Sequence, residues 1–573
     1  MAGPTVSDML LEILAEVGVR HIFGIPGDAI NALLDALRRQ DVIEFVQVRH
    51  EEAGALAASA QAKLTGRLGV CVGTAGPGAV HLLNGLYDAK LDHAPVLAIT
   101  GQVDTSLLGT HYHQEIDLYT LFKDVAAFNE TIVNPAQLPD AVINACQTAL
   151  SQRTVAHLSL PVDIASSAVP EPERRHAVFG NRALSAPCQS DLDAAVELLD
   201  DASKVAILAG TGARAGVAEL IDLAERLGAP IIKTLRAKDL LPDDHPLCVG
   251  GLGLLGTRAA VKAVDGCDVL LMVGTDFPYR DFYPENAKAI QIELDPQRIG
   301  RRYPVDVGLV GHAHLALRAL RDAVAIKPDR SYLESIQGEM VTWRRHMRRS
   351  ETSDNVPIKP QRVAALVGAM APDDAIFVCD TGTVTVWGAR HLAIRGQQRF
   401  TLSSSLASMA YALPGAIGAQ LAYPDRQVVA LAGDGGFAML MADFLTAVKY
   451  GLPITVVIFN NHKLGLITME QESQGYPDYQ TALHNPDFAE FARLCGGDGV
   501  RVNEPADLQP ALERALGSDL PFIVDVEVNP AEITMPPKIL PRFALGYAMS
   551  KMKEVMGQGD AEAGIKPLTD PLS

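Results

Sequence analysis

Short, wholly apolar runs alternate with longer stretches of helical apolar period along most of this chain, and that alternation constrains its fold more than any other feature. From Val6, residues Met9, Leu10, Ile13, Leu14 and Val17 recur at helical spacing and stop at Gly18. The run at 21–25 then reads as a strand. The pattern continues with a helix at 30–37, a strand at 44–48, a helix at 51–64, a strand at 68–72, a Gly-rich turn, a helix at 80–91 and a strand at 96–99. Strands that alternate with helices in this way form a parallel sheet wrapped by helices, so the fold class is α/β and doubly wound.

At 573 residues the chain exceeds what one hydrophobic core supports, and three units are expected. The first spans 1–165. Residues 166–187, with Pro170, Pro172 and Pro187, read as a linker. A second α/β unit occupies 188–325, with strands at 205–208, 230–233, 269–273 and 289–293. An Arg-rich helical stretch leads to a third unit at 355–530, and 531–573 form a tail of different character. The first and third units share a rhythm.

A net charge of -19 without clustered Lys and Arg argues against nucleic acid as a partner. The seven cysteines are scattered without CxxC spacing, which speaks for buried thiols in a reducing cytoplasm rather than for zinc or disulfides. No basic stretch and apolar core opens the chain, and no apolar run is long enough to span a bilayer.

Chemistry concentrates in the third unit. Residues 427–432 (QVVALA) form a buried strand, 433–436 (GDGG) a tight turn, 437–450 a helix and 454–459 the next strand, ending in Asn460 and Asn461. In such a βαβ unit the strands are parallel neighbours, so Asp434 and Asn461 both project from the carboxyl edge of the sheet. A carboxylate and an amide oxygen suit Mg²⁺, which takes its other oxygens from phosphate and water. Gly433, Gly435 and Gly436 let backbone N–H groups approach a phosphate at the helix start. In the first unit, Arg49, His50 and Glu51 stand where a strand passes into an Ala-rich helix. Glu51, surrounded by Ala53, Ala55 and Leu56, is a carboxylate in an apolar setting and a functional candidate.

Gly433, Asp434 and Gly435, with Asn461 following 27 residues after the aspartate, resemble the diphosphate-binding motif of thiamine-diphosphate enzymes. The segments RHEEAGALAASAQAKLTGRLGVCVGTAGPGAVHLLNGLYDA from Arg49, VGTDFPYRDFYP from Val273 and CDTGTVTVW from Cys379 resemble the branch of pyruvate oxidases and quinone-dependent pyruvate dehydrogenases. The resemblance covers about residues 5 to 545. It implies pyrimidine-binding, central FAD-binding and diphosphate-binding domains in that order.

For the site, the resemblance implies that Glu51 hydrogen-bonds the cofactor's aminopyrimidine and promotes loss of the thiazolium C2 proton, with Glu52 a capping or surface carboxylate. Met409 props the bent cofactor. Ser408, Gly436, Leu464 and Gly465 complete its pocket, and the Lys463 backbone carbonyl joins Asp434 and Asn461 on the metal. His81, Gln114, Ile467 and Glu470 line the reacting centre. His113 stands where pyruvate-using relatives tend to have Phe and Thr381 where they tend to have Val, so the pocket is more polar than theirs. Pyruvate is the first expectation, with a larger or more polar 2-oxo acid or aldehyde as the alternative.

In the second unit the strand at 205–208 is followed by Gly210, Gly212 and Gly216, whose spacing departs from the dinucleotide fingerprint. The resemblance adds Gly212, Ala213 and Arg214, Gly253, Leu254 and Leu255, Thr275, Asp276, Phe277, Pro278 and Arg280, and Glu293, and implies FAD. A flavin there passes electrons from the substrate to quinone or oxygen, with acetate or acetyl phosphate as product. Acetolactate synthases carry FAD without net redox and are the rival enzyme. A catalytically silent scaffold is the rival of another class, disfavoured because Glu51 and the metal ligands are present. The family places the cofactor between chains, so a dimer is the minimum and a tetramer is expected. Phe543, Leu545, Met549, Met552, Val555 and Met556, with Lys551 and Lys553, can form a short amphipathic helix, read as a docking helix rather than as a peripheral membrane contact.

Overall fold

The computed structural model describes residues 4–169 and 184–532, with 537–538, 546, 549–551 and 553 of the tail. Three six-stranded sheets organise the chain. The first contains β1 (His21–Gly24), β2 (Glu44–Gln47), β3 (Gly69–Gly73), β4 (Val96–Gln102), β5 (Ala126–Thr131) and β6 (Val155–Pro161) in the order β2-β1-β3-β4-β6-β5. The second contains β7 (Val205–Ala209), β8 (Ile231–Lys233), β9 (Cys248–Gly251), β10 (Val269–Val273), β11 (Lys288–Glu293) and β12 (Val307–Val310) in the order β12-β11-β10-β7-β8-β9. The third contains β13 (Ile376–Cys379), β14 (Arg399–Leu402), β15 (Val428–Gly433), β16 (Thr455–Asn460), β17 (Asp498–Val502) and β18 (Phe522–Glu527) in the order β14-β13-β15-β16-β18-β17. Within the sheets all pairings are parallel.

Counted from each unit's own first strand, the first and third sheets have the same order, which gives their common rhythm a topological basis. The central sheet differs. Its order reverses between β7 and β10, the crevice position at which open α/β sheets bind ligands.

Each sheet is covered on both faces, as its near-continuous apolar strands require. Along β3, Val70 and Val72 face one core and Cys71 the other. The core holding Cys71 also holds Ile376, Val378, Ala430 and Ala432 of the third sheet, so the first and third units share one interior. The helices Glu51–Thr65 and Ala412–Ala422 meet there. Ala53, Ala55, Ala57, Ala58, Ala60 and Ala62 keep the first of these thin enough to be buried on nearly all sides, and Gly418 on the second leaves no room for a Cβ against the Ala57 carbonyl.

Two helices differ from expectation. The stretch at 437–450 is not one helix: it begins three residues earlier and divides into Asp434–Leu440, the 3-10 turn Met441–Asp443 and Phe444–Lys449. The break falls at Asp443, whose carboxylate is engaged by the Arg49 backbone of the first unit, a tertiary contact that apolar periodicity does not encode. The stretch at 80–91 starts early, at Pro77 in the N1 position, and divides into Pro77–His81 and Leu83–Leu91.

Five cysteines are buried and none is paired among the described residues. Cys188 is exposed and Cys495 half-buried, contrary to the expectation of buried thiols; Cys188 caps a surface helix, Gln189–Asp201. Among the described residues no helix is long and apolar enough to cross a membrane. Of the linker, 170–183 lie outside the described residues, as do Phe543, Leu545, Met552, Val555 and Met556 of the tail helix. The described tail docks on the protein: Ser550 Oγ donates to the Tyr476 carbonyl at 2.8 Å, Lys551 pairs with Glu472 at 2.7 Å and Lys553 Nζ donates to the Gly475 carbonyl at 2.8 Å.

Candidate functional site

At the carboxyl edge of the third sheet, Gly433 ends β15 opposite Phe459 of β16, so Asp434 leaves the sheet beside Asn460, the last residue of β16, and Asn461 follows. Asp434 is the first residue of its helix, with Gly433 as an extended N-cap. Its side chain is buried, and burial raises its carboxyl above the ordinary range against a hydrogen bond from Asn485. Asn485 Nδ2 donates to Asp434 Oδ2 at 2.7 Å and to Asn460 Oδ1 at 3.0 Å, joining the two strand ends. Asn460 is anchored in turn, donating to Asp525 Oδ1 at 2.9 Å. No Lys or Arg pairs with Asp434 among the described residues, so a divalent cation is the charge that would stabilise its ionised form.

The turn after Asn461 is closed by hydrogen bonds. Asn461 Oδ1 accepts the Lys463 backbone N–H at 3.1 Å, His462 has a left-handed backbone, and Leu464 and Leu483 donate to the Thr481 and His462 carbonyls at 2.8 Å each. A Cβ on Gly435 would lie 3.0 Å from Leu464 and Leu483 and 3.4 Å from Met409 Cε; one on Gly465 would lie 3.0 Å from Asn461 Nδ2 and 3.1 Å from Thr383. Gly435 thus packs closely against Met409 and Leu464, and Gly465 against Asn461 and Thr383, two residues after Thr381, with glycine where a side chain would not fit. Ala407 and Ala410, on either side of Ser408 and Met409, also have left-handed backbones, an arrangement that costs energy and clusters at functional sites. Ile467 and Glu470 lie on the open face of the helix Gly465–Ser473, while Thr468 and Glu472 are buried on its other face.

The first unit supplies a second cluster. Glu51 opens the helix Glu51–Thr65 and is buried, its Oε2 held by His81 Nδ1 at 2.9 Å and its Oε1 close to Gly78. His50 stacks on His81 with ring centres 4.3 Å apart. These two imidazoles and the carboxylate bring ligand-type atoms within 4.8 Å of one another, a set suited to handling protons or a metal. Gln114, with a left-handed backbone, sits against Gly76, and His113 beside it is exposed. Glu52 is not a simple surface group: Asn84 Nδ2 donates to it at 2.6 Å and to Ser408 Oγ at 2.8 Å, tying the first unit to the Met409 loop. Among the described residues no hydrogen bond or ion pair joins Glu51, His81 or Gln114 directly to Asp434 or Asn461.

Two residues not assigned to the site from the sequence complete the arrangement. Asn485 lies on a loop far from any motif. Asp380, fully buried, accepts the backbone N–H groups of Thr381 and Tyr411 at 3.0 Å each, and its Oδ2 fills the space that a Cβ on Gly436 would need. Burial pushes its carboxyl up to about 7 against those bonds.

In the central sheet, glycines crowd the switch point. A Cβ on Gly212 would lie 2.7 Å from Gly274 Cα, and one on Gly210 would lie 2.8 Å from Thr275 Cα. Beside them opens a cleft of about 360 Å³ lined by Gly212, Arg214 and Glu293, and by Lys63 and Arg399 of the flanking units. Arg214 pairs with buried Asp239 at 2.6 Å, which also holds Arg399 at 2.7 Å. Burial raises the Glu293 carboxyl, whose Oε1 accepts the Leu294 N–H at 2.8 Å. Gly253, left-handed at φ 98°, packs on Phe277, and Arg390 donates to the Leu254 and Leu255 carbonyls. Asp276 is taken by Arg302 at 2.9 Å, and Arg280 is exposed. Ala213 is buried beneath the glycine turn, and Pro278 continues the segment after Phe277.

Residues 4–121, 192–320 and 380–526 match, in turn, the thiamine pyrophosphate enzyme N-terminal TPP binding domain, central domain and C-terminal TPP binding domain. The chain belongs to the thiamine pyrophosphate enzymes. YdaP of Bacillus subtilis, whose name gives it thiamine pyrophosphate but no activity, is 46% identical over 555 residues, 96% of each chain. The pyruvate oxidase of Lactiplantibacillus plantarum is 34% identical over 539 residues, 92% of this chain and 89% of its own. The acetolactate synthase large subunit of Parasynechococcus marenigrum is 34% identical over 548 residues, 92% of this chain and 88% of its own. Membership makes the chain a thiamine-diphosphate-dependent enzyme whose two outer units are the cofactor-binding ones.

Proposed function

We propose that this enzyme decarboxylates a 2-oxo acid, with pyruvate first, and passes the electrons through FAD to quinone or oxygen. The observation that carries the cofactor assignment is Asp434: a buried carboxylate at a helix start, beside the strand end that leads to Asn461, with no Lys or Arg paired to it among the described residues. Asp434, Asn461 and the Lys463 carbonyl would hold Mg²⁺, and Gly433, Gly435, Gly436, Ser408, Met409, Leu464 and Gly465 the thiamine diphosphate. When bound, thiamine diphosphate stabilises the negative charge left by loss of carbon dioxide, and FAD accepts two electrons. Glu51 holds a proton at the aminopyrimidine, and His81 orients Glu51. His81, Gln114 and Glu470 bind and orient the substrate; His113, Thr381 and Ile467 shape its pocket.

The Gly-lined switch point and the cleft bearing Arg214 and Glu293 support a dinucleotide in the central unit, with 253–255, 275–278 and Arg280 beside it. The family resemblance supports a site completed by a second copy, in a dimer or tetramer. Acetolactate synthesis is the second reading, favoured by synthase relatives as similar as the oxidase. Anaerobic mixing with pyruvate separates the two: carbon dioxide release with bleaching of the flavin is expected. Acetolactate formation under a persistent yellow colour would establish the synthase instead.

A further inference from the structure

One buried carboxylate bonded to the Glu51 segment has no role in the site described above. Asp443 ends the 3-10 turn that follows the Asp434 helix and is fully buried. Its Oδ1 accepts the Arg49 backbone N–H at 2.8 Å and Thr446 Oγ1 at 2.9 Å, and the His50 backbone N–H also favours the ionised carboxylate. Arg49 stands two residues before Glu51, in the turn that starts the Glu51 helix.

This bond is the innermost of a row. Strand β2 is an edge strand, and its outer side is met by the helix Phe444–Lys449 and the residue after it: Gln47 N–H donates to Tyr450 Oη at 2.7 Å, Tyr450 Oη to the Phe45 carbonyl at 3.0 Å, and Lys449 Nζ to Gln47 Oε1 at 2.5 Å. The segment that begins at Asp434 is thus fastened to the strand that delivers Glu51.

Resting on the functional reading above, we infer that Asp443 is a positioning residue: by holding the Arg49 peptide it fixes the entry of the Glu51 helix and so the direction of the Glu51 carboxylate. Burial pushes the Asp443 carboxyl up to about 6 against the bonds from Arg49 and Thr446. A carboxyl costs stability at such a place, and a purely packed turn would be served better by an apolar residue.

The test is hydrogen exchange at C2 of bound thiamine diphosphate, read by NMR in holoenzyme saturated with cofactor and Mg²⁺, alongside cofactor affinity from a fluorescence titration. Asp443→Ala is expected to slow exchange about 10- to 100-fold, because a small misplacement of an aligned group costs that much, while cofactor affinity and the KM for pyruvate stay near wild type. Asp443→Asn keeps an acceptor for Arg49 N–H and should restore most of the rate. Should the alanine variant not fold, Asp443→Ser, whose hydroxyl is too short to reach Arg49, carries the same expectation. Wild-type exchange in Asp443→Ala, or equal slowing in Asp443→Asn, overturns the inference while Glu51→Gln remains slow. If Glu51→Gln itself exchanges at the wild-type rate, the assignment of Glu51 fails first and this inference falls with it.

Discussion

Asp434 is a buried carboxylate with no Lys or Arg paired to it among the described residues, and its neighbourhood predicts what substitution does. Asp434→Asn keeps the size and a hydrogen-bonding oxygen but removes the charge, so Mg²⁺ affinity should fall by at least about 10- to 100-fold, the range seen even for the residues that only support metal ligands; isothermal titration in the presence of thiamine diphosphate checks this. Asp380 lies directly behind the same helix and gives a pH-dependent prediction. Its folded carboxyl is raised from 3.8 to about 7 by burial, so the folded state holds the proton more tightly than the unfolded chain. Its contribution to stability is therefore complete below the ordinary carboxylate range and is lost as pH rises through about 7. Asp380→Asn imitates the protonated acid, so its melting temperature relative to wild type should improve from pH 5 to pH 8; a constant or falling difference would contradict the assignment.

At the scale of elements, the helix pair Glu51–Thr65 and Ala412–Ala422 binds the outer units through small residues. Gly418→Ala gains up to about 1 kcal/mol of helix propensity, yet its Cβ would collide with the Ala57 carbonyl, part of a helix backbone that cannot yield. Overpacking of this kind costs about 1–3 kcal/mol, so the variant should be destabilised in denaturant unfolding. Gly338, inside the helix Ser331–Glu351, has open space where its Cβ would go. There the propensity term stands alone, and Gly338→Ala should stabilise by about 0.5–1 kcal/mol.

For the whole molecule, the decisive question is whether one chain makes a site or two chains make it. Glu51→Gln and Asp434→Asn subunits each lack one half. If sites form between chains, mixed dimers contain one site with both wild-type halves, and co-purified hybrids should regain activity that neither homodimer has. If sites lie within chains, every site in the hybrid is defective and no activity returns. Gel filtration with light scattering on the same samples verifies that the hybrids are dimers or larger.

Much of this was legible in the residues themselves. The strand–helix alternation dictated parallel sheets, because wholly apolar strands need cover on both faces, and Asp434 with Asn461 could be paired because the ends of adjacent parallel strands share one edge. Glu51 stood out because a carboxylate among alanines at a helix start is costly without a use. What local pattern could not contain is contact between segments hundreds of residues apart. Asn485 reaches Asp434 from a featureless loop, Asp443 breaks a periodic helix because Arg49 engages it, and Asn84 joins Glu52 to Ser408. The central strand order, with its reversal between β7 and β10, was equally hidden, since periodicity fixes which residues form strands but not which strands lie side by side. Local pattern dictates the elements and the chemistry at their ends; which ends meet depends on the folded chain, because hydrogen bonds and packing act across space rather than along it.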